Sequence, residues 1–211
     1  MAKRRATLTP ADYVETAVEF VNKHGIAAMT MRALGDQMGV DATALYRHFP
    51  NKDSLISAMV DWFMGQAVER AELPSKNPRD RVRTIALAMR ETFRCWPQIG
   101  LELFQSEGGA GVNAVAYSRL AVDALRDLGV TGRDLAVNYQ MIETFIMGSC
   151  VHDFAGAPHN MAVRRLRYRS FDIGEFDAEA RDEASVMALA DDAFNAVLEK
   201  LLDICEQAAA R

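Results

Sequence analysis

The sequence predicts an all-α protein. Apolar residues recur at three- and four-residue spacing along most of the chain, and helix start and stop signals separate these stretches. No alternating pattern of strand length occurs anywhere.

Thr9-Pro10 opens the first helix, with Thr as N-cap, Pro at the first helical position, and Asp12 and Glu15 in and just after the first turn. Val14, Ala17, Val18 and Val21 then recur at helical spacing, and His24-Gly25 ends the helix because Gly accepts a left-handed cap. Thr30 caps a second, shorter helix in which Leu34 and Met38 share a face, and Gly39 breaks it. Asp41 caps a third helix over 42 to about 49, which Pro50 stops; Asn51 caps a fourth over 52 to about 72. Residues 73–78, Leu-Pro-Ser-Lys-Asn-Pro, have the composition of a linker. Helices are expected over 79–95, ended by Trp96-Pro97, then briefly over 98–105. Gly108, Gly109 and Gly111 make a flexible break before a helix over 112–128, which Gly129 closes. The helix over 135–154 shows little one-sidedness and is expected to be buried on several sides. Residues 183–210 carry a sustained stripe: Val186, Leu189, Ala193, Val197, Leu201 and Ile204. Between these last two helices, 156–182 reads as a long, mixed-charge loop. Its basic run, Arg164, Arg165, Arg167 and Arg169, followed by Asp172, Glu175, Asp177 and Glu179, is expected to be solvated; the alternatives are a clamp on an anionic effector or part of a dimer interface.

A chain of 211 residues can bury a real core in one domain or two. The net charge of −5 argues against nucleic-acid binding by the molecule as a whole. The region up to Leu55 is different. Its seven Lys and Arg stand against six Asp and Glu, so the acidic surplus lies in the remainder. No run approaches the roughly 20 apolar residues that span a bilayer, and Met1-Ala-Lys-Arg-Arg-Ala has no apolar run behind it to make a secretory signal. Cys95, Cys150 and Cys205 are odd in number and far apart, which implies reduced thiols and a cytoplasmic setting. His152, Asp153 and His159 fit no metal-ligand spacing, so neither a metal nor a cofactor is expected.

The informative stretch runs from Thr30 to Lys52: two helices joined by a tight turn, which is the form of a helix-turn-helix. Leu34, Met38, Val40 and Leu45 point into the core of such a unit. Gly35 sits where the two helices approach, and Gly39 makes the turn. Within this stretch, Leu45-Tyr46-Arg47-His48-Phe49-Pro50-Asn51-Lys52 resembles the Leu-Tyr-x-His-Phe-x-x-Lys run of the tetracycline-repressor (TetR) family of regulators. The resemblance covers about residues 9 to 60 and departs at Gly35, where that family more often carries Ala.

The resemblance implies an N-terminal three-helix, helix-turn-helix DNA-binding head (1–55) and a C-terminal helical bundle (56–211) that binds a ligand and dimerises. The helix from Ala42 then enters the major groove of double-stranded DNA. Ala42, Thr43 and Ala44 lie at its exposed end, suited to thymine methyls and one hydroxyl hydrogen bond. Arg32 is the candidate for a bidentate guanine contact, and Arg47 reaches a base or a phosphate. Tyr46, His48, Lys52 and the Thr30 hydroxyl are candidate phosphate contacts, which set register rather than sequence. Lys3, Arg4 and Arg5 form a basic arm that adds non-specific affinity.

A short recognition helix reads few base pairs, so a homodimer is expected, seamed by the 183–210 stripe and the 135–154 helix. By resemblance, the body also holds a pocket for a small-molecule effector. Its candidate lining is Met89, Phe93, Trp96, Phe104, Tyr117, Met141, Phe145 and Cys150, whose Met and Phe suit an apolar or aromatic compound. The mechanism so implied is ligand-relieved repression; an activator would share the architecture. No phosphate loop, nucleophile elbow or paired metal-ligand motif supports an enzyme. Arg32, Tyr46, His48 and Lys52 argue against a helical interaction protein that does not bind DNA.

Overall fold

Ten α-helices and two short 3-10 turns make up the secondary structure of the computed structural model, which describes residues 8–72, 77–104, 111–156 and 159–210. The helices are α1 (Pro10–His24), α2 (Met31–Met38), α3 (Ala42–Tyr46), α4 (Lys52–Ala71), α5 (Pro78–Cys95), α6 (Pro97–Glu102), α7 (Val112–Asp127), α8 (Gly132–Phe154), α9 (His159–Arg169) and α10 (Glu183–Ala209). The all-α expectation holds. The basic arm at Lys3, Arg4 and Arg5, most of the linker and most of the glycine-rich break lie outside the described residues.

Local chemistry sets the head. Thr9 and Asp12 form a reciprocal capping box on α1: Thr9 Oγ1 accepts from the Asp12 N–H, and Asp12 accepts from the Thr9 N–H at 2.6 Å. Thr30 Oγ1 accepts from the Ala33 N–H at 3.0 Å, Asp41 from the Thr43 N–H at 2.8 Å, and Asn51 from the Ser54 N–H at 2.7 Å. Gly39 ends α2 in the left-handed region, at φ 65° and ψ 34°. A Cβ on Gly35 would stand 2.9 Å from the Val40 carbonyl oxygen, so the close approach between α2 and the turn requires its absence.

Leu34 and Leu45 are fully buried, while Met38 and Val40 are half-buried against the same core. That core is continuous from head to body, because α4 supplies Leu55 and Met59 to one end and Phe63, Met64 and Ala67 to the other.

Three expectations need correction. The third helix stops at Tyr46, short of 49: the His48 and Phe49 N–H groups both turn back to the Leu45 carbonyl, because a residue before proline is driven out of the helical region. The eighth helix opens at Gly132, ahead of 135. It also buries one face alone, along Asn138, Ile142, Ile146, Cys150 and Asp153, and leaves Ala136, Val137, Gln140, Thr144 and Gly148 exposed.

The third correction is the largest. The segment read as a solvated loop contains α9, and Arg164 in its basic run is buried. Arg164 pairs with Asp153 of α8 at 2.7 Å; Asp153 also holds Arg90 of α5 at 3.0 Å. Arg90 reaches Asp191 of α10 at 2.8 Å, and Arg94 does so at 2.6 Å. The guanidinium of Arg90 lies against the Phe154 and Phe194 rings. A second network joins α5 to α10, with Arg79 contacting Glu199, Asp203 and Glu206, and Arg83 contacting Glu199.

No helix among the described residues is long and apolar enough to cross a membrane. The three thiols are free. Burial pushes Cys150 up to about 12 and Cys205 up to about 11, which makes them poor nucleophiles.

Candidate nucleic-acid interface

Residues 42–48 form an exposed ridge built on two buried anchors. Leu45 and Phe49 face inward, and this fixes which side of α3 faces out. Thr43, Tyr46, Arg47 and His48 are exposed, with Ala42 and Ala44 half-buried beside them. Tyr46 is 51% exposed although it is a large aromatic side chain. Asp41 accepts from the Thr43 N–H at 2.8 Å, and this bond, with the Thr43 hydroxyl beside it, holds the Asp41 carboxyl below its ordinary pKa. Arg32, in the first turn of α2, is also exposed.

The candidate phosphate contacts flank this ridge in different ways. Thr30 uses its oxygen as an acceptor for α2, so its O–H proton stays available for donation outward. His48 packs one ring face toward Tyr13, with centroids 5.3 Å apart, and is otherwise exposed. Lys52 is tethered: its Nζ donates to the Ile26 carbonyl at 3.2 Å, which ties the start of α4 to the turn after α1. An ammonium has three protons, so this bond leaves two for an anion. Sequence reasoning missed the tether, since the partners lie 26 residues apart and neither is unusual by type. It also missed Glu102 at the end of α6, whose pKa is raised by burial and drawn back by the Lys52 charge. Lys52 thus faces both the head and the body.

The structure divides the eight candidate effector residues among four settings. Met89, Phe93, Tyr117 and Cys150 are core residues; Phe93 meets Phe63 edge-on, and the Tyr117 hydroxyl donates to the Ile85 carbonyl at 2.8 Å. Met141 and Phe145 line a groove that also takes in Ala136, Val137 and Thr144 of α8 and Val197 and Leu201 of α10. Trp96 meets Trp62 of α4 edge-on at 5.2 Å, and its buried Nε1 has no hydrogen-bond partner; Phe104, beyond α6, is exposed.

The predicted stripe on α10 also divides. Val186 lies in the subunit's own core, whereas Ala193, Val197 and Ile204 are exposed and Leu189 and Leu201 half-buried. The buried face is the adjacent one: Ala190, Phe194, Leu198, Leu202 and Cys205. This helix therefore carries two apolar faces.

Comparison with known proteins agrees with this geometry. The family described as bacterial regulatory proteins, tetR family, matches residues 14–59, which contain α2, α3 and the start of α4. The chain is 29% identical over 154 residues to the HTH-type transcriptional repressor DrrR1 of Streptomyces coeruleorubidus, covering 69% of this chain and 53% of that one. It is 30% identical over 156 residues to an HTH-type transcriptional repressor of Mycobacterium tuberculosis, covering 72% of this chain and 59% of the other. The chain thus spans little more than half the length of either relative.

Solved structures share the fold along nearly the whole chain. A TetR transcriptional regulator from Streptomyces coelicolor superposes with a TM-score of 0.74 at 20% identity, covering 95% of this chain and 99% of that one. The TetR family protein ActR of the same organism, in complex with actinorhodin, superposes with a TM-score of 0.74 at 19% identity, covering 98% and 100%. With this head on this helical body, the chain resembles the TetR family of bacterial regulatory proteins, whose model matches residues 14–59.

Proposed function

We propose that this protein is a cytoplasmic, ligand-relieved transcriptional repressor that binds a palindromic operator as a homodimer. Residues 1–55 act as the DNA-binding domain, and 56–211 as the domain for effector binding and dimerisation. One observation carries this reading: the ridge over 42–48 turns its polar and aromatic side chains outward from a buried Leu45–Phe49 footing, inside the segment that matches the family. Thr43, Ala42, Ala44 and Arg32 read bases, Arg47 reads a base or grips a strand, and Thr30, Tyr46, His48 and Lys52 bind phosphates.

The homodimer accounts for the two outward apolar surfaces of the body. Ala136, Val137 and Thr144 on α8 lie beside Val197 and Leu201 on α10, and Ala193 and Ile204 extend that face. Burial of these side chains against a second copy places two recognition helices about 34–36 Å apart, one helical turn of DNA. The effector is an apolar or aromatic small molecule held beside Trp62 and Trp96. The orphaned Trp96 Nε1 supports this site, since a buried donor without a partner costs about 1–3 kcal/mol until an acceptor arrives. ActR, a relative in fold, is known in complex with actinorhodin. Because α4 begins at Lys52 and carries Trp62, its displacement by an effector changes the spacing of the heads. An effector needs a preference of a few kcal/mol for the displaced state.

Selection of bound fragments from a random duplex pool, followed by footprinting, tests the reading. A palindromic footprint is expected, along with release of the DNA by a compound that quenches tryptophan fluorescence. Absence of duplex binding even at low ionic strength overturns it.

A further inference from the structure

Residues 159–182 are held in place by α9 and its contacts, yet they show apolar side chains to solvent. On α9, Val163 and Leu166 stand three residues apart and so share a face; Leu166 is 61% exposed. Phe171 and Ile173, just beyond the helix, are exposed as well. These side chains do not sit on a loose loop. The rings of Tyr168, Phe171 and Phe176 form a cluster with centroids 5.2–5.7 Å apart. Arg169 Nε donates to the carbonyl of the fully buried Ala180, and Asp182 caps α10. An apolar surface fixed in place in this way marks an interaction site.

The charges around it identify the occupant. Arg167 and Arg169 lie at the end of α9, and Asp172, Glu175 and Asp177 follow within eight residues. Among the described residues none of these five forms an ion pair, although opposite charges stand so close along the chain. A contact across a two-fold axis is made by the same patch on both sides, so a patch with a basic end and an acidic end complements itself. A foreign partner would need only one sign.

We infer that residues 163–177 pack on the same segment of a second copy, forming a second contact of the homodimer beside the α8/α10 face. This rests on the dimer reading above. α9 packs on both helices that carry that face.

Sedimentation equilibrium on the full chain tests it. The wild type is expected to be a dimer, and Val197→Glu to weaken it through the α8/α10 face. Leu166→Glu is expected to raise the dimer dissociation constant about tenfold or more, with an unchanged far-ultraviolet spectrum because the side chain faces solvent. Arg167→Glu alone and the pair Glu175→Arg with Asp177→Arg alone should each weaken the dimer. An equimolar mixture of the two variants should recover it as a heterodimer. A wild-type dimer broken by Val197→Glu but untouched by Leu166→Glu and the charge variants overturns this inference and leaves the dimer reading standing. A monomeric wild type overturns both, and failure of the mixture to recover overturns the charge pairing.

Discussion

Asp153 is the residue on which the packing of α5, α8 and α9 converges. It is buried, accepts from Arg164 at 2.7 Å and from Arg90 at 3.0 Å, and lies 3.1 Å from His152 Nδ1. With Asp191 it faces three cations, Arg90, Arg94 and Arg164, and Glu91 also pairs with Arg94, so three carboxylates balance three cations. Asp153→Asn leaves one unbalanced positive charge there and turns an amide N–H toward a guanidinium N–H. Removing one partner of a buried pair costs about 3–5 kcal/mol. That is a large share of the roughly 5–15 kcal/mol of a typical domain. At about 2–4 °C per kcal/mol for a chain of this size, the melting temperature should fall by about 6–20 °C.

The assay is urea and thermal unfolding at matched protein concentration, which keeps any contribution from association equal. Arg164→Met alone should cost less, since Arg90 still neutralises Asp153. The double variant should be more stable than the sum of single losses predicts, by more than about 1 kcal/mol, because the α9 cation is then no longer left unpaired. Acid provides a further check. Burial pushes the Asp153 carboxyl up, but hydrogen bonds from His152, Arg164 and Arg90 outweigh it and hold its pKa below 3.8. Its ionisation therefore stabilises the fold above the ordinary carboxylate range and ceases to do so as pH falls through the depressed value. The gap between wild type and Asp153→Asn must narrow in acid. A loss under about 1 kcal/mol at neutral pH, or plain additivity with Arg164→Met, refutes this account.

Other outcomes are expected of the same architecture. Glu199 is held down to about 2, first by Arg83 and then by Arg79; its side chain is 43% exposed, so Glu199→Gln should cost only about 1 kcal/mol after solvent screening. That loss should fade in high salt and as pH falls from the ordinary carboxylate range toward 2, and a pH-independent loss in unfolding titrations would exclude the pairing as its cause. In α6, a Cβ on Gly100 would lie 2.4 Å from Cε1 of the buried Phe93. Gly100→Ala should therefore destabilise by about 1–3 kcal/mol despite its better helix propensity, and a raised melting temperature would contradict the packing. Lys52→Ala should weaken binding to all duplexes and reduce the salt slope by about one unit, whereas Thr43→Ala should change sequence preference. Since Lys52 also tethers Ile26, the slope rather than the affinity is the informative measurement, and an unchanged slope would remove it from the phosphate contacts.

The head was legible because its signals are short-ranged. The N-caps at Thr9, Thr30, Asp41 and Asn51 each bond an N–H two or three residues on, and Gly35 and Gly39 meet constraints set within seven residues of themselves. The body was legible as helices but not as an assembly. The 156–182 segment hid α9 because that helix is held largely by a buried Arg164–Asp153 pair, and a basic run gives no apolar period to read. The eight effector candidates were chosen by residue type, and type alone cannot separate Phe93 in the core from Phe104 on the surface.

The sequence by itself determined the helix-turn-helix, its caps, and which side of α3 faces outward, since each follows from neighbours along the chain. The tertiary structure alone decided which of two apolar stripes on α10 is the core. Val197 and Leu198 are adjacent and similar in chemistry, yet one is exposed and the other buried. A helix that is apolar on two faces has two equivalent ways to pack, and only the position of Phe145, Phe154 and Arg90 on neighbouring helices distinguishes them.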